Sequence, residues 1–117
     1  MNTIFFGCIR MNPDISKWDV SKVTDFHDAF NYAQYFNADL SQWIVSKATR
    51  MDSMFNTARV FDRDLSKWNT SKVTRMEQMF KVALKFNHDI GNWVRKLLYL
   101  VLLFAQQIFL VWVPFFF

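Results

Sequence analysis

The sequence predicts an α/β repeat solenoid, a stack of short parallel strands and short helices, with a hydrophobic helix at its C-terminus. Three observations predict it. Trp18, Trp43, Trp68 and Trp93 recur every 25 residues, preceded three positions earlier by Ile15, Leu40, Leu65 and Ile90. Within each unit the apolar spacing changes from a strand-like to a helix-like period. Finally, 14 Phe and 5 Trp stand against only 2 Gly and 2 Pro, so the chain has much apolar bulk to bury and few of the turn-formers that a β-sandwich needs.

A fixed period of this length is the mark of a repeat architecture. Residues 36–60 and 61–85 are identical at 13 of 25 positions. The recurrence also runs backwards, because Met1, Phe5, Cys8 and Met11 fall one period before Phe26, Phe30, Ala33 and Phe36. The solenoid is therefore expected over 1–93, as a half repeat 1–10, full repeats 11–35, 36–60 and 61–85, and a partial repeat 86–93. The chain begins in mid-repeat, with Met1 in the column of Met51 and Met76, so an upstream extension is expected.

Within the unit, Ile15, Trp18 and Val20 are apolar at the first, fourth and sixth positions, the leucine-rich LxxLxL layout. This places short strands over 17–20, 42–45 and 67–70. Met76, Met79, Phe80 and Ala83 follow at i, i+3, i+4 and i+7, one face of a helix. Thr74 reads as its N-cap, with Glu77 completing a capping box, and Thr49 with Asp52 repeats the motif more weakly. Neither element buries its apolar side alone, so the units must stack. The expected structural core is Trp18, Trp43, Trp68 and Trp93 with Phe30, Phe55 and Phe80.

The ordered set Phe36, Asn37, Asp39, Leu40, Ser41, Trp43, Val45, Ser46, Thr49, Met51, Met54, Phe55 and Ala58 recurs over 61–83 with small changes such as Asp62 and Thr70. In this pattern the chain resembles the BspA-type leucine-rich surface-protein repeat, also called the DUF285 repeat, over nearly all of 1–93. The resemblance implies a cell-surface or secreted protein that serves adhesion or protein binding. It further implies a protein or extracellular-matrix ligand and offers no catalytic residues to carry over. The repeat 11–35 departs from the pattern at Met11, Phe26 and Ala29, which are conservative core exchanges.

The net charge of +4 and pI near 9.4 come from interspersed charges of both signs. With no basic run or aromatic platform, nucleic acid is not an expected partner. Cys8 is the only cysteine, which excludes an internal disulfide and a zinc knuckle. Met1 to Met11 makes a poor secretion signal, because Arg10 follows the apolar patch instead of preceding it. Asp14, Asp39, Asp64 and Asp89 form a column that could line up carboxylates for a cation. The expectation is turn capping, since no glycine-rich calcium loop accompanies them. Lys22, Lys47 and Lys72 form a second column, expected to be solvated, with an anion site as its alternative. His27 and His88 are expected on the surface. No set of groups for acyl transfer, phosphate cradling or zinc hydrolysis is present, so neither an enzyme nor a cofactor, metal or small-molecule substrate is expected.

The candidate binding face is the mixed polar row Lys17, Asp19, Gln42, Lys67 and Asn69 on the concave strand side. The tail 94–117 ends the pattern abruptly, and 97–117 carries no charge over a length sufficient to span a bilayer. Gln106, Gln107 and Pro114 count against a span, while Tyr99 and Trp112 suit interface anchors. Arg95 and Lys96 would hold the repeats on the cytoplasmic side, whereas the resemblance implies the outside. The composition also changes within two residues of Trp93, as an aberrant reading frame would cause. The expected function is a non-enzymatic repeat scaffold, binding protein or mediating adhesion at a cell surface or membrane. Its rival is a purely structural fragment of a longer array.

Overall fold

A computed structural model describes residues 1–93. The hydrophobic helix expected over 97–117, with the basic pair before it, lies outside the described residues. Among the described residues, no helix is long and apolar enough to cross a membrane.

Each 25-residue unit folds as a run of tight turns. In 36–60 the amides of Trp43, Ala48, Met54, Asn56 and Ala58 donate to the carbonyls of Leu40, Val45, Met51, Ser53 and Phe55 at 2.9 to 3.2 Å. Each bond closes over three residues, as in a β-turn. The amides between these turns point out of the layer. Phe26, Asp28, Phe30 and Tyr32 donate to the carbonyls of Arg50, Asp52, Met54 and Asn56, at 2.9, 3.2, 2.9 and 2.8 Å. Met51, Ser53, Phe55 and Thr57 donate in the same way to Arg75, Glu77, Met79 and Lys81. The repeats therefore stack in register, each layer donating to the next through these columns and back to the preceding one through Thr49 and Thr74, whose amides reach the Thr24 and Thr49 carbonyls.

The expected solenoid of short strands and short helices is not what the chain forms. Among the described residues there is no helix, and extended pairing is limited to the isolated parallel bridges Asp25–Arg50 and Arg50–Arg75. The reason lies in the backbone. Asp28, Tyr32, Ser53, Thr57, Gln78 and Val82 have φ of 56°, 62°, 56°, 60°, 58° and 58°. A helix needs negative φ throughout and spends each amide on the carbonyl four residues back. Here a left-handed residue recurs at every fourth position; its own amide donates to the neighbouring layer and the next amide closes the turn within the layer, as Asp28 N does to Asp52 O and Ala29 N to Phe26 O. Two successive four-residue turns bring Met76, Met79, Phe80 and Ala83 to one side, the same residues a helical stripe would align. A left-handed conformation costs a non-glycine residue roughly 1–2 kcal/mol. The interlayer bonds on both sides hold the backbone there.

The expected strands fail for a different reason. Segment 17–20 lies between a turn closed by Trp18 N to Ile15 O (3.1 Å) and one closed by Val23 N to Val20 O (2.9 Å). Too little extended chain is left for a ladder. Side chains make the interlayer bonds instead, since the indole Nε1 atoms of Trp43, Trp68 and Trp93 donate to the carbonyls of Ile15, Leu40 and Leu65 at 3.0, 3.0 and 3.2 Å. Thr74 is likewise no N-cap, because its amide and hydroxyl both reach back to the Thr49 carbonyl, at 2.8 and 3.2 Å.

The core is an aromatic ladder. Phe5, Phe30, Phe55 and Phe80 stack with ring centroids 5.4, 5.4 and 5.6 Å apart and planes within 9° of parallel. Phe36, Phe61 and Phe86 form a second column at 6.0 Å spacing, 4.0 to 4.2 Å from the first. Trp43, Trp68 and Trp93 are buried beside them. Trp18 differs from the expectation and is 44% exposed. Among the described residues its indole meets no carbonyl of a neighbouring layer, and Phe5, at 5.8 Å, is its one ring neighbour.

Candidate binding face

Burial of the tryptophans decides what faces outward. With Trp43 turned into the core, the residues on either side, Gln42 and Ile44, project to solvent, and Ile44 is 61% exposed. One layer on, Trp68 turns inward and Lys67 and Asn69 are exposed. Gln42, Ile44, Lys67 and Asn69 line one shallow cleft of about 240 Å³, floored by Trp43 and Val45. Three of the five residues expected on the binding row thus come together. Lys17 and Asp19 are exposed but outside this cleft. Asp19 is occupied locally, accepting from the Ser21 amide (3.0 Å) and hydroxyl (2.6 Å). Ile44 was not singled out in the sequence, although it is apolar where the other units have Asp19 and Asn69.

The aspartate column serves the turns. Asp14, Asp39, Asp64 and Asp89 accept from the amides of Ser16, Ser41, Ser66 and Gly91 at 3.1, 2.9, 2.8 and 2.8 Å. The Ser16 hydroxyl and amide hold the Asp14 carboxyl below its ordinary pKa, and the Ser41 and Ser66 amides and hydroxyls do the same for Asp39 and Asp64. A second open cleft of about 350 Å³ adjoins them, bounded by Asp39, Ser41, Asp62, Arg63, Lys67 and His88. Among the described residues, no group of three or more His, Cys, Asp or Glu is placed to hold a metal ion. Lys22, Lys47 and Lys72 are all exposed.

The histidines are not plain surface residues. His88 Nε2 lies 2.9 Å from Asp62 Oδ1. His27 Nδ1 lies 2.8 Å from Asp52 Oδ2, and its Nε2 3.1 Å from Asp28. Arg50 grips the same Asp52 with two parallel bonds, Nε to Oδ1 at 3.1 Å and Nη2 to Oδ2 at 3.0 Å. Asp52 is buried and joins groups from two layers. The signal in the sequence was the alternation of Asp25, His27, Arg50, Asp52, Arg75 and Glu77 in two neighbouring columns, a pattern that only stacking brings together.

Residues 1–106 match the family described as Mycoplasma protein of unknown function, DUF285. The chain belongs to the DUF285 family. No curated protein and no solved structure matches it.

The buried carboxylate of this DUF285 chain sets an acid limit. Burial opposes ionisation of Asp52, but the Arg50 hydrogen bonds and the His27 ring outweigh it and hold the folded pKa below the ordinary 3.8. A depressed carboxylate stabilises the fold fully above its unfolded pKa, and that contribution disappears as pH falls through the folded value. Wild-type stability is therefore expected to decline below pH 3.8. Asp52→Asn should be less stable at neutral pH yet show a shallower acid limb in denaturant midpoints. Parallel pH profiles for the two proteins would show that Asp52 is uncoupled from folding.

Proposed function

We propose that the chain is a non-enzymatic BspA-type repeat scaffold that binds a protein or matrix ligand at a cell surface. The observation that carries this reading is Ile44, an exposed apolar side chain bordered by Gln42, Lys67 and Asn69 in one cleft. An apolar anchor inside a polar rim is the usual anatomy of a protein-binding patch. At about 240 Å³ the cleft is too small and open to bury a metabolite.

The test uses the full chain in detergent, immobilised and titrated with purified extracellular-matrix proteins. Ile44→Asp and Lys67→Glu should each weaken binding by at least tenfold, the scale of one buried anchor. Lys47→Glu, also exposed but away from the cleft, should leave it unchanged. Binding unaffected by the two cleft variants would remove this face from the function.

A further inference from the structure

One lateral edge of the stack differs in composition from the rest. Successive layers bring 6–10, 31–35, 56–60 and 81–85 to this edge. The Tyr35 amide donates to the Ile9 carbonyl and the Val60 amide to the Gln34 carbonyl, at 3.1 and 3.2 Å, which keeps the segments in register. None of the chain's 10 acidic residues falls in them, whereas Arg10, Arg59, Lys81 and Lys85 do. Arg10, Arg59 and Lys85 are exposed. The ion pairs of His27, Arg50, Arg75 and His88 form in other columns, on Asp25, Asp28, Asp52 and Asp62. Large apolar side chains stand between the cations. Tyr32 and Tyr35 are 45% and 57% exposed, Phe6 meets Tyr32 edge-on at 6.1 Å, and Val60 and Leu84 are half-buried. Tyr32 donates to the Asn56 carbonyl of the following layer and Tyr35 to Ile9 of the preceding one. With a layer on each side, their exposure is sideways and belongs to the edge, not to an end of the stack.

We propose that this edge lies on the surface of an anionic bilayer, its cations at the lipid phosphates and its aromatic rings at headgroup level. The surface is separate from the Ile44 cleft, none of whose lining residues lies on the edge. An apolar patch of this kind calls for an occupant, and the one-signed charge around it selects an anionic one. Amphipathic rings flanked by Arg and Lys are the composition of a membrane–water interface. A nucleic acid would meet the same cations. Ile9, Val60 and Leu84, however, offer no ring for a base to stack on, whereas the acyl-chain boundary accommodates aliphatic side chains. An acidic protein would seat its anchor in a pocket, and the two clefts described above lie on other columns.

Quenching by spin-labelled lipid, measured on the full chain, tests the orientation. A fluorophore is attached at Gln34→Cys, on the edge, or at Lys47→Cys, in another column, each in a Cys8→Ser background. The protein is reconstituted from detergent into vesicles that carry a headgroup nitroxide. In phosphatidylcholine vesicles containing about one third phosphatidylserine, position 34 should be quenched strongly and position 47 weakly. In phosphatidylcholine alone the difference should shrink. Arg59→Glu should reduce the quenched population at position 34 by at least about fivefold, the scale of one cation at an anionic surface. Tyr35→Ser should reduce it as well. Lys72→Glu makes the same charge change in another column and should have no effect, and Ile44→Asp should have none either, which separates this surface from the ligand cleft. The apolar stretch 97–117 is common to every variant, so its own affinity for lipid cancels in the comparison. Equal quenching at positions 34 and 47, or quenching indifferent to both phosphatidylserine and Arg59→Glu, would overturn the proposal. Binding of a labelled single-stranded oligonucleotide that Arg59→Glu abolishes, with position 34 unquenched by lipid, would overturn it in favour of nucleic acid.

Discussion

Phe55→Ala is expected to destabilise the fold by about 4 kcal/mol, within the roughly 3–5 kcal/mol range for removing a core aromatic ring. Phe55 is fully buried, and its ring meets Phe30 at 5.4 Å, Phe80 at 5.6 Å and Phe61 at 4.1 Å. It therefore supports layers on both sides, and the stacked neighbours have little freedom to collapse into the space left. For a domain of this size each kcal/mol moves Tm by roughly 4–8 °C, so the variant should melt more than about 15 °C below wild type. Phe5→Ala, with a ring neighbour in that column on one side only among the described residues, should cost less. Equal thermal shifts for Phe5 and Phe55 would mean that the column is not continuous.

Trp43→Ala and Trp18→Ala should separate widely although the two residues share a column. Trp43 packs against Phe26 and Phe30 at 6.1 Å and bonds to the Ile15 carbonyl, so its loss should cost roughly 3–5 kcal/mol. Trp18 is 44% exposed and has no such acceptor among the described residues, so about 1 kcal/mol or less is expected, the scale of a surface change. Trp43→Phe divides the two contributions, because an aromatic ring remains while the indole bond is lost; the Ile15 carbonyl still accepts from the Trp18 amide, so a cost of only about 1 kcal/mol is expected for the bond. Chemical-denaturation midpoints measure all three. Matching losses at positions 18 and 43 would contradict the layer account of tryptophan burial.

The recurrence of side chains was legible in the sequence, and so was most of what depends on it. Phe30, Phe55 and Phe80 stack because identical residues in register layers must meet, and the Asp–x–Ser spacing of Asp14 and Ser16 announces a side-chain-closed turn. The type of local structure was not legible. Apolar residues at i, i+3, i+4 and i+7 fit both a helix and a pair of four-residue turns, and only the left-handed positions tell them apart. In this chain those positions fall in two columns, Asp28, Ser53 and Gln78 in one and Tyr32, Thr57 and Val82 in the other, with Gly7 the one member of the second whose identity signals positive φ. Trp18 was misplaced because column membership describes an internal layer, whereas burial depends on having a neighbour. The cleft around Ile44 emerged only when burial of Trp43 and Trp68 fixed which side chains face outward.

The coupling that nuclear magnetic resonance detects through a hydrogen bond, from the Phe55 amide nitrogen to its acceptor carbonyl carbon, tests the layered architecture most directly. Stacked turns predict a correlation to Met79, one layer ahead, where the nitrogen and the carbonyl oxygen lie 2.9 Å apart. The equivalent correlations should link Phe30 to Met54 and Thr57 to Lys81. A correlation from Phe55 to the carbonyl of Met51, four residues back, would show a helix in this segment and contradict the account.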